Sequence, residues 1–404
     1  MIERNEYLQK VLPFIDTDLI KIFTGIRRCG KSVMLDLIKK ELQKKGVEKN
    51  QFISINFEDI ETEKYREYQK LHEHISEKIK KIDKKAYLFL DEIQEVDAWE
   101  KCVNSLRVKF DCDIYITGSN AKLLSGEFAT YLGGRYVEIT IYPFSFAEFI
   151  ELYKKSENKN VGVEKMFKEY LLVGGMPYLK NVKFRYDASI MYLQDVYNSV
   201  VLKDVVQRNK IRSTDLFARV IKYVIANIGK TFSARSISNY FKNEKMDISV
   251  DTVLNHLQYC ENAHLLSCVR RKDTVGKKIL AVNEKYYIAD HGLREALVGK
   301  NQADISIVLE NIVFMELKRR DYKIHVGKVG ELEIDFIAEK NNYCIYVQVC
   351  YLLASDETIE REFSVLEKVE DNFPKFVVSL DEFDMSRNGI RHLNIREFLL
   401  SKEL

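Results

Sequence analysis

The sequence predicts an α/β chain: a parallel sheet wrapped by helices over residues 1–150, a helical stretch, and a second, smaller α/β arrangement towards the C-terminus. Three observations predict it. Residues 25–32 read Gly25-Ile26-Arg27-Arg28-Cys29-Gly30-Lys31-Ser32, the pattern of a phosphate-binding P-loop, set between an apolar run and an amphipathic one. Five short apolar runs alternate with helix-length segments, as buried parallel strands and their crossover helices do. A chain of 404 residues has material for two to four cores.

Composition narrows the function classes. Lys and Arg number 63 against 61 Asp and Glu, so any footprint for nucleic acid has to be local. Hydrophobic residues make up 46% of the chain, yet no apolar run approaches a membrane span, and the charged N-terminus lacks a signal-peptide core. A soluble, cytoplasmic protein is expected, with no membrane partner. Seven cysteines form no close CxxC pair and no Cys/His cluster, which argues against zinc and fits a reducing compartment.

In chain order, the first strand is expected at Leu19 to Phe23, and the P-loop follows it. Its glycines let backbone N–H groups curl around a phosphate, Lys31 neutralises phosphate oxygens and the Ser32 hydroxyl ligates magnesium. The next helix starts at the loop with Val33, Leu35, Leu37 and Ile38 on its apolar side, its positive dipole end towards the phosphates. Cys29, beside backbone N–H groups and Lys31, is expected to have a lowered pKa and a reactive thiolate. A second strand is expected at Phe52 to Phe57. The third, Tyr87 to Leu90, runs into Asp91-Glu92. A carboxylate pair there holds magnesium through Asp91 and polarises water through Glu92; the plainer alternative is a solvated acidic turn. The fourth strand, Asp113 to Thr117, ends in Thr117-Gly118-Ser119-Asn120, small polar residues, Ser119 among them, that either orient the attacking water or sense the γ-phosphate, or else form a strand-to-helix turn with Ser119 or Asn120 capping the next helix. Arg135 follows a Gly133-Gly134 turn and precedes a fifth strand, Tyr136 to Ile141. Its guanidinium either reaches the γ-phosphate of a neighbouring subunit or makes a surface salt bridge.

The P-loop, Leu90-Asp91-Glu92-Ile93-Gln94, Thr117-Gly118-Ser119-Asn120, Gly133-Gly134-Arg135-Tyr136 and Pro143-Phe144-Ser145-Phe146-Ala147-Glu148-Phe149 together resemble bacterial and archaeal AAA+ superfamily ATPases, in the group that carries a C-terminal domain of unknown function. The likeness continues through Gly174-Gly175-Met176-Pro177, Lys203-Asp204-Val205-Val206-Gln207-Arg208, Lys285-Tyr286-Tyr287-Ile288-Ala289-Asp290, Glu333-Ile334-Asp335-Phe336 and Tyr346-Val347-Gln348-Val349-Cys350-Tyr351. It implies a P-loop NTPase sheet with a helical lid, ATP and Mg2+ as ligands, and a homo-oligomer in which Arg135 acts on a neighbour.

Beyond residue 150 the reading divides the chain into a helical lid or connector at 151–212, a winged helix at 213–300 and a small α/β domain at 301–404. Gly174-Gly175 before Pro177 is a helix stop. In the winged helix Leu216 to Ile228 forms the first helix, Ser233 or Ser236 caps the second and Ser249 the third. Val250, Val253, Leu254, Leu257 and Cys260 face inward on that third helix, and Thr252, Asn255, His256 and Tyr259 outward. Two strands follow, joined by a basic turn with Arg270, Arg271, Lys272, Gly276, Lys277 and Lys278, which suits the phosphates of double-stranded DNA. The last domain resembles the restriction-endonuclease-like core. Glu310, Asp335 and Gln348 fall on the positions that assemble a magnesium site in that fold, with Cys350 where its lysine belongs; a degenerate domain is expected. The reading is an ATP-binding, Mg-dependent AAA+-type ATPase that couples hydrolysis to conformational change, on DNA. Its alternatives are a nucleotide-gated metal-dependent nuclease and a non-catalytic, nucleotide-switched interaction protein.

Overall fold

The computed structural model describes residues 2–121, 132–156, 161–273, 279–299 and 304–403. Its contacts divide the chain into two compact units, residues 1–142 with 262–264, and residues 143–261 with 265–404. The second unit takes in the three segments that the sequence reading separates beyond residue 150.

In the first unit five parallel strands, β1 (Ile20–Thr24), β2 (Phe52–Asn56), β3 (Ala86–Asp91), β4 (Cys112–Thr117) and β5 (Tyr136–Thr140), lie in the order β2-β3-β4-β1-β5. Every residue of β1, β3 and β4 is buried, whereas the edge strands β2 and β5 show exposed positions. That contrast is the one expected for central strands covered on both faces. Ile22, Leu88, Leu90, Ile114 and Ile116 share one apolar cluster with Val103 and Leu106 of the helix Trp99–Lys109. Truncating one such side chain, as in Leu88→Ala, costs about 2–5 kcal/mol. The helix Lys31–Lys44 buries Met34, Leu35, Leu37, Ile38 and Leu42, while Val33, expected inside, is exposed. At the amino end of the sheet Lys21 and Asp113 form a fully buried ion pair, and the Tyr115 hydroxyl donates to the same carboxylate at 2.8 Å.

The second unit opens with helices Phe146–Ser156, Val163–Val173 and Tyr186–Ser199 and a π-helical turn, Val200–Gln207. The Gly-Gly-x-Pro stop has a specific cause. Gly174, at φ +74, sits so close to Asp290 that a Cβ would lie 2.0 Å from Oδ1, and the Gly175 N–H donates to Asp290 Oδ2 at 2.7 Å. Asp290 also caps the helix His291–Val298 through the Gly292 N–H, so two separated motif blocks meet as one structural joint.

Helices Thr214–Ala226, Ala234–Asn243 and Val250–Asn262 precede a hairpin of β6 (Leu266–Asp273) and β7 (Ile279–Ile288), the helix and strand order of the expected winged helix. Ser233 and Ser249 accept N-terminal N–H groups as caps. The hairpin is not free: β6 pairs in parallel with β8 (Lys323–Val329), making one seven-stranded sheet, β12-β11-β10-β9-β8-β6-β7, with β9 (Leu332–Lys340), β10 (Tyr343–Val349), β11 (Lys375–Ser379) and β12 (Ile390–Asn394). Two expectations for the third helix are corrected. His256 is buried against the Phe217 ring, and Leu254 is exposed, because the hairpin and the first helix cover a face rotated from the one that apolar spacing selects. Within the basic turn, Arg271 pairs with Glu333 and Lys272 with Glu339, both largely covered, while Arg270 stays exposed at 3.5 Å from Glu284. Gly276, Lys277 and Lys278 lie outside the described residues.

Candidate functional site

Parallel strands deliver their carboxyl ends to one edge, and there β1, β3 and β4 release the P-loop, Asp91-Glu92 and Thr117-Gly118-Ser119-Asn120. Gly25 leaves β1 at φ +140, and a Cβ there would stand 2.2 Å from the Ile141 carbonyl oxygen, so only glycine lets the loop turn so close to β5. Gly30 opens the helix at φ +105, and between them Arg28 also takes a positive φ of 65. Ile26 is buried, Arg27 reaches Glu58 at 2.5 Å and Arg28 is exposed.

The Lys31 ammonium is 4% exposed and donates to the carbonyls of Gly25 at 3.2 Å and Ile26 at 3.3 Å, with Glu92 Oε1 at 3.6 Å. Asp91 is buried beneath it. Burial pushes its carboxyl above the ordinary aspartate range and the nearby Glu92 adds to this, while hydrogen bonds from Thr117 and Ser32 and the charge of Lys31 oppose it. Thr117 is the joint of this edge: its hydroxyl donates to Asp91 Oδ1 and accepts the Glu92 N–H at 2.9 Å. Glu92 itself stands in the left-handed region at φ 55. Its second oxygen accepts from the Gln94 side-chain amide, which lies 3.5 Å from the buried Ser119 hydroxyl.

The chain thus gathers Gly25, Gly30, Lys31, Ser32, Asp91, Glu92 and Ser119 at one sheet edge. Arg135 is elsewhere. It precedes β5, its carbonyl accepts the Ile20 N–H, and β5 runs parallel to β1, so it lies at the amino edge, level with Leu19 and six residue steps or roughly 20 Å of strand from Gly25. The expectation of a reactive Cys29 is also corrected. Its thiol is fully buried and donates to the Ile141 carbonyl at 3.1 Å; burial pushes its pKa up, and that outweighs the lowering by Lys31 and Arg4. Three contributors escaped the sequence reading. Arg4, 4% exposed, donates to the Cys29 carbonyl at 3.0 Å and the Tyr142 carbonyl at 2.7 Å, tying the loop to the N-terminal segment. Gln94 stands inside a motif without a role, and Thr117 is expected from sequence to act on water or the γ-phosphate, not to join the two carboxylates.

Residues 17–150 match the AAA domain family, and residues 164–304 match a domain of unknown function (DUF8612). An uncharacterised protein of Haemophilus influenzae is 39% identical over 401 residues, covering 99% of both chains. One of Methanocaldococcus jannaschii is 31% identical over 400 residues, covering 93% of this chain and 84% of that one. Among solved structures, a Walker-type ATPase of Pyrococcus abyssi superposes with a TM-score of 0.52 at 15% identity, over 73% of this chain and 95% of that one, a likeness of fold.

Proposed function

Because the chain belongs to the family of these Haemophilus influenzae and Methanocaldococcus jannaschii proteins, with an AAA domain as its first part, we propose that it is an ATP-binding, magnesium-dependent ATPase whose hydrolysis drives a conformational change. The observation that supports this is the convergence of an ammonium, two carboxylates and a hydroxyl on one loop edge, with Lys31 3.6 Å from Glu92 and Ser32 hydrogen-bonded to Asp91. A glycine-lined loop that a Cβ at Gly25 would obstruct fits a phosphate chain against backbone N–H groups. The donors beside it, Ser32 and Asp91, are hard oxygens, one of them a buried carboxylate whose charge a cation would relieve, and these would hold magnesium. When bound, the metal neutralises charge on the β- and γ-phosphate oxygens.

The chain's own residues supply the rest. Lys31 exchanges its carbonyl contacts and Glu92 for phosphate oxygens. Glu92, released at Oε1, then orients a water for in-line attack, while Gln94 fixes its other oxygen and Ser119 backs Gln94. Residues 151–212 serve as the lid or connector, 213–300 and 301–404 receive the conformational change, and Arg135 completes a neighbour's site in a homo-oligomer.

The test is ATP turnover by the purified chain, with and without double-stranded DNA. Lys31→Ala should lose nucleotide binding. Glu92→Gln should bind ATP as wild type does and hydrolyse it at least about 100-fold more slowly. Unaltered turnover in Glu92→Gln would remove Glu92 from the chemistry, and turnover unchanged by DNA would remove DNA from the coupling.

A further inference from the structure

The second unit contains a cluster of charge that the ATPase reading does not use. Lys285, on β7, is 3% exposed, and its ammonium lies 2.9 Å from Glu310 Oε1, 3.0 Å from Glu333 Oε1 and 3.2 Å from Asp335 Oδ1. Glu310 comes from the helix Ile305–Arg319, and Glu333 and Asp335 stand two apart on β9, which puts both on one face of the sheet. The Tyr287 hydroxyl donates to Glu310 Oε1 at 2.6 Å, and the Val349 N–H donates to Asp335 Oδ2 at 2.9 Å.

Gln348 and Cys350, the neighbouring positions of the nuclease-like pattern, contribute nothing to this cation. The Gln348 side chain is engaged at both ends, accepting the Asp335 N–H at 3.2 Å and donating to Glu362 at 2.8 Å. Burial pushes the Cys350 thiol up, away from the thiolate that would ligate a metal. Among the described residues no set of three Asp, Glu, His or Cys side chains is arranged to hold a metal ion. Carboxylate oxygens around the ammonium lie at 2.9 to 3.2 Å, within hydrogen-bonding distance of its three N–H donors.

We propose that Lys285 is a resident cation: its ammonium fills the position between Glu310, Glu333 and Asp335 that a divalent metal would need, so this core is held together by a charge of its own chain and has no metal-dependent cleavage site. Three partly buried carboxylates facing one another repel unless a cation stands among them. One ammonium serves all three, and joins β7, the helix Ile305–Arg319 and β9 at a single point. With Lys285 truncated, the cation left beside these carboxylates among the described residues is Arg271, 3.6 Å from Glu333, and the three carboxylates become hard oxygen donors of the kind that Mg2+ or Mn2+ takes.

The experiment counts Mn2+ bound by the full-length, nucleotide-free chain, using the free-ion electron paramagnetic resonance signal. Any metal taken by the P-loop edge is common to all variants and cancels. Lys285→Ala should bind one Mn2+ more than wild type, the double variant Lys285→Ala, Asp335→Asn should lose that extra ion, and added Mn2+ should raise the melting temperature of Lys285→Ala above the change seen in wild type. Equal Mn2+ counts in wild type and Lys285→Ala would overturn the proposal. So would duplex cleavage by the wild-type chain that requires Mg2+ or Mn2+ and disappears in Lys285→Ala, since Lys285 would then be working beside a metal and not in its place. If Lys285→Ala does not fold without metal, dilution from denaturant decides: recovery with Mn2+ and not with a chelator supports the resident cation, and no recovery in either overturns it.

Discussion

Cys29 shows how one residue's surroundings reverse a local rule. A thiol beside a lysine and loop N–H groups has a lowered pKa only where water reaches it, and here the thiol is sealed beneath the loop against the Ile141 carbonyl. Iodoacetamide should therefore leave Cys29 unmodified in the native chain and label it after denaturation, with mass spectrometry of the tryptic peptide as the measurement. Labelling within minutes under native conditions would mean that the loop lifts off β5. Arg4 belongs to the same scale. Its guanidinium bonds two carbonyls, one in the loop and one after β5, so truncation leaves buried acceptors unmatched, at about 1–3 kcal/mol for each group.

At the scale of the element, the helix Val250–Asn262 carries a half-buried acid, Glu261, near its C-terminal end. Burial pushes the Glu261 carboxyl up to about 7; Glu284 adds to this, and Arg270 opposes it. An acid whose folded pKa lies above its unfolded value of 4.5 is neutral in both states at low pH and bears the cost of burying its charge once it ionises. Its contribution is therefore undiminished below about pH 4.5 and is lost as pH rises towards 7. Glu261→Gln should leave the free energy of urea unfolding unchanged at pH 4.5 and raise it at pH 8, by at most about 3 kcal/mol. Part of the pH dependence should persist in the variant, because burial and Asp335 push the Glu310 carboxyl up as well, against the opposing charge of Lys285. An equal gain at both pH values would show that the charge of Glu261 is not what costs stability.

Considered as a whole, the molecule places Arg135 at the edge of the first sheet opposite its own P-loop, exposed. A guanidinium so placed serves phosphoryl chemistry only in another copy's site, which is why the proposal requires a homo-oligomer. Lys31→Ala and Arg135→Ala, each inactive alone, should recover part of the wild-type ATPase when mixed, because some interfaces then pair an intact loop with an intact arginine. No recovery, in a mixture shown by light scattering to be oligomeric, would leave Arg135 with a structural role. No described helix is long and apolar enough to cross a membrane.

Much of the first unit was legible without coordinates. All five of its strands and the P-loop depend on residues adjacent in the chain, where period and spacing act directly, and their carboxyl ends meet because parallel strands share a direction. The same local logic found the caps at Ser233 and Ser249. It could not find Lys285 among Glu310 and Asp335, 25 and 50 residues away, or Gly175 against Asp290, 115 residues away. Nor could it find the burial of His256 in place of Leu254, or the pairing of Arg271 and Lys272 with Glu333 and Glu339. The ion pairs of Arg271 and Lys272 depend on which strands pair, in particular on the parallel pairing of β6 with β8 that joins the hairpin to β9, and the others on which helices and strands pack together. Periodicity reports that a face is buried; only tertiary packing selects the partner that buries it, and the charge of that partner decides what the buried group can do.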